Sequence, residues 1–77
     1  MKTVSIYTTD TCTYCKQAKE LFKEKGIEYN EYNVGHDADK RKEMIDKTGQ
    51  MGVPVIQIGD DVMVGFDRTA VLEALGM

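Results

Sequence analysis

Apolar positions in this chain change their period several times, and each change marks an element. Lys2 to Thr8 carries Val4, Ile6 and the aromatic Tyr7, and the Thr8-Thr9-Asp10-Thr11 cluster stops the run, as expected for a strand. From Cys12 to Lys25 the less polar residues Cys15, Ala18, Leu21 and Phe22 recur at helical spacing, while Lys16, Lys19, Glu20 and Lys23 fall mostly elsewhere. A helix is predicted there, ending at Gly26, where a C-terminus favours glycine. Ile27 to Val34 alternates, with Ile27, Tyr29, Tyr32 and Val34 set against Glu28, Asn30, Glu31 and Asn33, and predicts a second strand closed by Gly35. Asp37 through Thr48 reads as a very polar helix that packs shallowly through Ala38, Met44 and Ile45 and stops at Gly49.

Val53 to Ile58 is a β-branched run, and Gly59-Asp60-Asp61 before Val62-Met63-Val64 predicts an antiparallel hairpin. Asp67 has the chemistry of an N-cap, since its carboxylate accepts from amides of the next turn. It precedes a last helix with Ala70, Val71, Leu72, Ala74 and Leu75, ending at Gly76. The order β-α-β-α-β-β-α implies a right-handed crossover with a parallel strand pair, extended by the hairpin into a four-stranded mixed sheet flanked by three helices.

Seventy-seven residues, 42% apolar and 30% charged, fit one domain over residues 1–77, because so short a chain cannot divide its apolar residues between two cores. A net charge of -3 with both signs interspersed offers no stripe for phosphates or an anionic membrane surface, so neither nucleic acid nor membrane is an expected partner. No apolar stretch approaches the roughly 20 residues of a membrane span, and Met1-Lys2-Thr3 leads straight into a strand rather than a signal peptide. The cytoplasm is the expected compartment. Thiols are kept reduced there, which favours redox chemistry or metal binding for Cys12 and Cys15 over a permanent staple.

The reactive sulfur species is a thiolate, and the free amides at a helix N-terminus stabilise one. Cys12 stands where those amides point, and Cys15, three residues on, returns to nearly the same helix face within disulfide reach. Cys12 is therefore the expected attacking sulfur and Cys15 the deeper, resolving one. Thr13 keeps a backbone N–H that proline would lack, and that N–H is a candidate donor to the Cys12 sulfur. Lys16 and Lys19 add positive charge on the same helix, with solvated surface charge as the bland reading. Structural zinc would need about four ligands, and beyond the cysteines only His36 is a soft or imidazole candidate. A purely structural disulfide would close too short a loop to constrain the unfolded chain much. His36, in a polar turn, is assigned no role; Tyr7, Tyr29 and Tyr32 are expected on or beside the sheet, and Tyr14 is either a site wall or simply exposed.

Along Tyr7-Thr8-Thr9-Asp10-Thr11-Cys12-Thr13-Tyr14-Cys15 the chain resembles the glutaredoxin family, whose active site is usually Cys-Pro-Tyr-Cys after a similar strand. Asp39-Lys40-Arg41-Lys42-Glu43-Met44-Ile45, Gly52-Val53-Pro54-Val55-Ile56 and Gly65-Phe66-Asp67 resemble, in order and spacing, its middle helix, its Thr-Val-Pro segment and its Gly-Gly-x-Asp segment. The resemblance implies an α/β thioredoxin-like fold and a dithiol–disulfide oxidoreductase that works as a monomer on disulfide-containing proteins or glutathione mixed disulfides. Glutathione would be a co-substrate, with no permanently bound cofactor and no metal. It also implies a cis Pro54, a Val53 backbone that pairs with the cysteinyl part of glutathione, Arg41 on the glycine carboxylate, and Asp67 with the adjoining Gly65 and Phe66 amides on the γ-glutamyl end. Thr9, Thr11, Thr13 and Tyr14 would complete the substrate rim.

Three positions depart from the pattern: Thr9 replaces a lysine, Gly52 the threonine of Thr-Val-Pro, and Val64 the first glycine before Gly65. Ribonucleotide-reductase-coupled redoxins, which take electrons from thioredoxin reductase, lose similar features and form the alternative. Arg41 and Asp67 tilt the reading toward glutathione. Glutaredoxins without the active-site proline include iron–sulfur cluster binders, which this chain resembles at Thr13, and a non-catalytic binding module on the same fold is a further class.

Overall fold

The computed structural model describes residues 3–50 and 52–76. Its central strand β1 (Val4–Thr8) does not alternate because it is buried on both faces. Around it follow α1 (Thr13–Glu24), β2 (Asn30–Asn33), α2 (Ala38–Thr48), β3 (Val55–Ile58), β4 (Asp61–Val64) and α3 (Arg68–Leu75). The sheet order is β2-β1-β3-β4, with β1 parallel to β2 and antiparallel to β3, and β3 antiparallel to β4. This is the element order and mixed sheet that the sequence predicts. The expected strand start at Lys2 lies outside the described residues.

Each face of the sheet has its own core. On one, Val4, Ile6, Ile56 and Ile58 meet Ala18, Leu21 and Phe22 of α1 and Val71 of α3. On the other, Tyr7 and Val55 meet Val34 and Met44, with Tyr32 and Val53 partly buried against them. Fully burying a side chain of this size contributes roughly 1.5–3 kcal/mol, so the first face dominates folding. The shallow packing of α2 follows from its polarity: Met44 is buried, Ile45 is half-buried, and Ala38, expected in the buried side, is exposed in the first turn.

The second strand is shorter than the predicted Ile27–Val34. The Gly26 amide donates to the Lys23 carbonyl (3.2 Å) and the Ile27 amide to the Phe22 carbonyl (2.8 Å), the paired bonds of a Schellman cap. Gly26 takes the positive φ of 67° that this cap requires. With its amide used by the cap, Ile27 cannot join the ladder; Ile27 and Tyr29 instead pack against the α1 core, Tyr29 lying 5.2 Å from the Phe22 ring. At the other end, Val34 still donates to the Thr8 carbonyl at 2.9 Å. The third strand likewise starts at Val55 rather than Val53, because Pro54 has no amide hydrogen to donate to a ladder.

Candidate active site

The strand register brings four chain segments to one end of the sheet. Thr8 is level with Asn33, and Tyr7, Val55 and Val64 are level with one another. The β1–α1 turn, the β2–α2 loop, the Val53–Pro54 segment and the Gly65–Asp67 segment therefore all emerge there.

At that end the Cys12 amide donates to the Thr9 carbonyl at 3.4 Å, closing a turn that delivers Cys12 as the N-cap of α1. The Cys12 Sγ accepts from the Cys15 amide at 3.1 Å. The donor is Cys15 rather than the expected Thr13, because a cap side chain reaches the second or third amide of the helix and Cys15 is the third residue of α1. Cys12 and Cys15 are joined in a disulfide with their Cα atoms 5.2 Å apart, inside the usual range. Cys15 is 1% exposed, whereas Cys12 is half-buried, so reduction leaves one reachable sulfur and one covered.

The reachable sulfur accepts the Cys15 amide hydrogen at the positive end of a helix, the setting that stabilises a thiolate. Lysine contributes less than its position on the helix promised. Lys19 is held 3.0 Å from Glu31, whose carboxylate also accepts from the Thr8 hydroxyl at 3.0 Å. Burial pushes the Glu31 carboxyl up, but the hydrogen bonds from Lys19 and Thr8 outweigh it and hold the group below its ordinary value. Lys16 is exposed on the helix surface.

The Val53–Pro54 peptide is cis, as the resemblance implied. Pro54 is buried, and its carbonyl accepts from the Gly65 amide at 2.7 Å, which ties the proline segment to the end of β4. Gly52 and Val64 face each other across the same place: a Cβ on Gly52 would lie 3.7 Å from Val64 Cγ1, and Val64 is 45% exposed. Phe66 packs partly into the α1 core. Asp67 accepts from the Ala70 amide at 3.2 Å and so caps α3, as predicted. Arg41 is half-buried in the first turns of α2, and among the described residues its guanidinium forms no ion pair. Thr9 is half-buried, while Thr11, Thr13 and Tyr14 are exposed, Tyr14 to 60%. Hydrogen bonds thus unite Thr9 with Cys12, Cys12 with Cys15, and Pro54 with Gly65. Arg41 and Asp67 share the same sheet end on helices that pack on opposite faces.

One cluster was not foreseen. Asp10 Oδ1 accepts from Asn33 Nδ2 and Asp10 Oδ2 lies against His36 Nε2, both at 2.6 Å. Hydrogen bonds from His36 and then Asn33 hold the Asp10 carboxyl below its ordinary value. His36, the imidazole that a zinc site would have needed, is therefore engaged by a carboxylate rather than by the cysteines. The sequence signal was faint: an acid two residues before a candidate nucleophile, and a single histidine after the next strand.

A sulfur presented at a helix N-terminus, with its disulfide partner buried behind it, performs thiol–disulfide exchange; the chain is a redox protein on a thioredoxin-like fold. It belongs to the glutaredoxin family, whose sequence profile matches residues 4–63. An uncharacterized glutaredoxin-like 8.6 kDa protein in the rubredoxin operon of Clostridium pasteurianum is 41% identical over 68 residues, covering 88% of this chain and 91% of that one. Glutaredoxin 3 of Escherichia coli strain K12 is 41% identical over 76 residues, covering 99% and 92%. Among solved structures, the T8A mutant of the thioredoxin-like protein BC3987 superposes with a TM-score of 0.91 at 26% identity, covering 99% of this chain and 97% of that one. Cys12–Cys15 is accordingly the active-site disulfide of a glutaredoxin-family thiol–disulfide oxidoreductase.

Proposed function

We propose that this chain reduces protein disulfides and glutathione mixed disulfides, as a cytoplasmic monomer recycled by glutathione. The observation that carries the reading is the contrast at the disulfide: Cys12 Sγ accepts the Cys15 amide at a helix N-terminus while Cys15 itself is buried. The Cys12 thiolate attacks one sulfur of the substrate disulfide; a Cys12–substrate bond forms, the substrate S–S bond breaks, and the second substrate sulfur leaves as a thiolate that takes a proton from water. With a protein disulfide, Cys15 then attacks Cys12 Sγ and releases the reduced substrate, and two glutathione thiols restore the dithiol from the Cys12–Cys15 disulfide and are themselves oxidised to the disulfide. With a glutathione mixed disulfide, Cys12 takes the glutathionyl group, and a glutathione thiolate attacks the glutathionyl sulfur, releasing the Cys12 thiolate and oxidised glutathione.

Val53, half-buried beside Pro54, offers backbone for an extended substrate to pair with as an added strand. Arg41 takes a carboxylate of the bound glutathionyl group, and the amides after Gly65, with Asp67, take its amino-acid end. The test supplies electrons either from glutathione with its reductase or from thioredoxin reductase, with one disulfide protein as the acceptor. Turnover with the glutathione couple alone is expected. Turnover only with thioredoxin reductase would replace this reading with that of a glutaredoxin-like redoxin serving ribonucleotide reductase. The exposed Val64 isopropyl group beside Gly52, together with the uncharged Thr9, is the observation favouring that second reading.

A further inference from the structure

The turn that presents Cys12 has little holding it from within. Its backbone bond is long at 3.4 Å, and none of Thr9, Asp10 and Thr11 is buried. What ties it to the rest of the molecule is the Asp10 carboxylate, which uses one oxygen on Asn33 and the other on His36, both on the β2–α2 loop.

That loop is itself fixed. Asn33 Oδ1 accepts from the Gly35 amide at 2.9 Å, which turns its Nδ2 toward Asp10, and its carbonyl accepts from the amides of His36 (3.2 Å) and Asp37 (2.9 Å). Gly35 makes the approach possible, since a Cβ there would lie 3.1 Å from Asn33 Oδ1 and 3.8 Å from a Thr9 methyl. The carboxylate therefore docks a loose turn onto an ordered one. We propose that Asp10 is a positioning residue for the nucleophile, acting through its two bonds to the β2–α2 loop.

The kcat for a protein disulfide, read with whichever of the two electron donors turns the protein over, tests the docking independently of the glutathione reading. Asp10→Ala, which loses both bonds, lowers it about threefold at unchanged KM, and Asp10→Asn, which keeps an acceptor, recovers it. A native kcat in Asp10→Ala, or an Asp10→Asn kcat no higher than that of Asp10→Ala, would overturn the proposal. Melting curves of both variants accompany the rates.

Discussion

The two faces of the sheet are held by different physics. Toward α1 and α3 the contacts are almost wholly apolar: Val4, Ile6, Ile56 and Ile58 close on Ala18, Leu21, Phe22 and Val71. Toward α2 the core is four buried residues, and a polar network completes it. There the buried Tyr7 donates to Glu43 Oε1 (3.1 Å) and accepts from Lys47 Nζ (3.0 Å), while Lys47 reaches Gln57 Oε1 at 2.7 Å and Lys40 sits 4.2 Å from the centre of the Tyr32 ring. The helix carrying the nucleophile is thus anchored by burial, which salt and pH leave nearly untouched, and the helix carrying Arg41 is anchored in part by charge. The difference places rigidity behind the sulfur, where attack geometry is set, and leaves the adjustable anchor on the side proposed to meet substrate.

The comparison breaks most sharply at the nucleophile. Cys12→Ser keeps the cap, since serine oxygen accepts from the same amide, so helix α1 and the melting temperature are expected to persist while disulfide reduction falls to the rate without protein. Residual turnover above that rate would move the chemistry elsewhere. Cys15→Ser separates the two sulfurs: reduction of a two-cysteine protein disulfide is lost, and turnover of a glutathionylated substrate survives through glutathione.

The next effect is on stability. Phe22 is 0% exposed at the centre of the α1 face, and Phe22→Ala is expected to cost about 3–5 kcal/mol in urea unfolding. That is a large share of the roughly 5–15 kcal/mol that a domain has, so the unfolding midpoint is expected far below that of the native chain. A loss below about 1.5 kcal/mol would show that the apolar face does not dominate. Tyr7→Phe tests the other face with its volume kept. The ring stays, the hydroxyl goes, and Glu43 and Lys47 still meet each other at 3.2 Å, so the expected loss is about 1 kcal/mol.

What the sequence makes legible depends on where the information lies along the chain. The β-branched run, the hairpin and the Asp67 cap are local, because each is fixed by neighbours a few residues away; the structure has all three, with the strand beginning two residues later, at Val55, and the hairpin's second strand one residue earlier, at Asp61. Cys12 and Cys15 were legible for the same reason, one strand end and one helix start being enough to place them. Ile27 and Tyr29 misled because apolar alternation reports burial and not pairing: both are covered by the α1 face, while the Ile27 amide belongs to the helix cap. Ala38 misled because helical spacing alone cannot say how far the first turn of α2 overhangs the sheet. The tie between Asp10, Asn33 and His36 was unreadable for a deeper reason. It joins residues 23 and 26 positions apart, and they meet only through the parallel register of Thr8 with Asn33.

The smallest expected effect is the most specific to the charged face. Hydrogen bonds from Lys40, then Lys47, then Tyr7 hold the Glu43 carboxyl down to about 2, far below the ordinary value. A carboxyl lowered on folding adds stability above its unfolded value and loses that contribution as pH falls through the folded one. The Glu43 side chain is 39% exposed, so solvent screening reduces the effect from what the shift alone would imply to about 0.5–1 kcal/mol. Glu43→Gln should therefore unfold at lower urea than the native chain at pH 7, with the gap shrinking as pH falls below about 4.5 and vanishing near 2. Added salt should narrow the gap at pH 7 and leave the Phe22→Ala loss unchanged, because only the first depends on exposed charge. If the Glu43→Gln gap were the same at pH 3 and pH 7, the α2 face would be held by packing alone and the distinction between the two faces would fail.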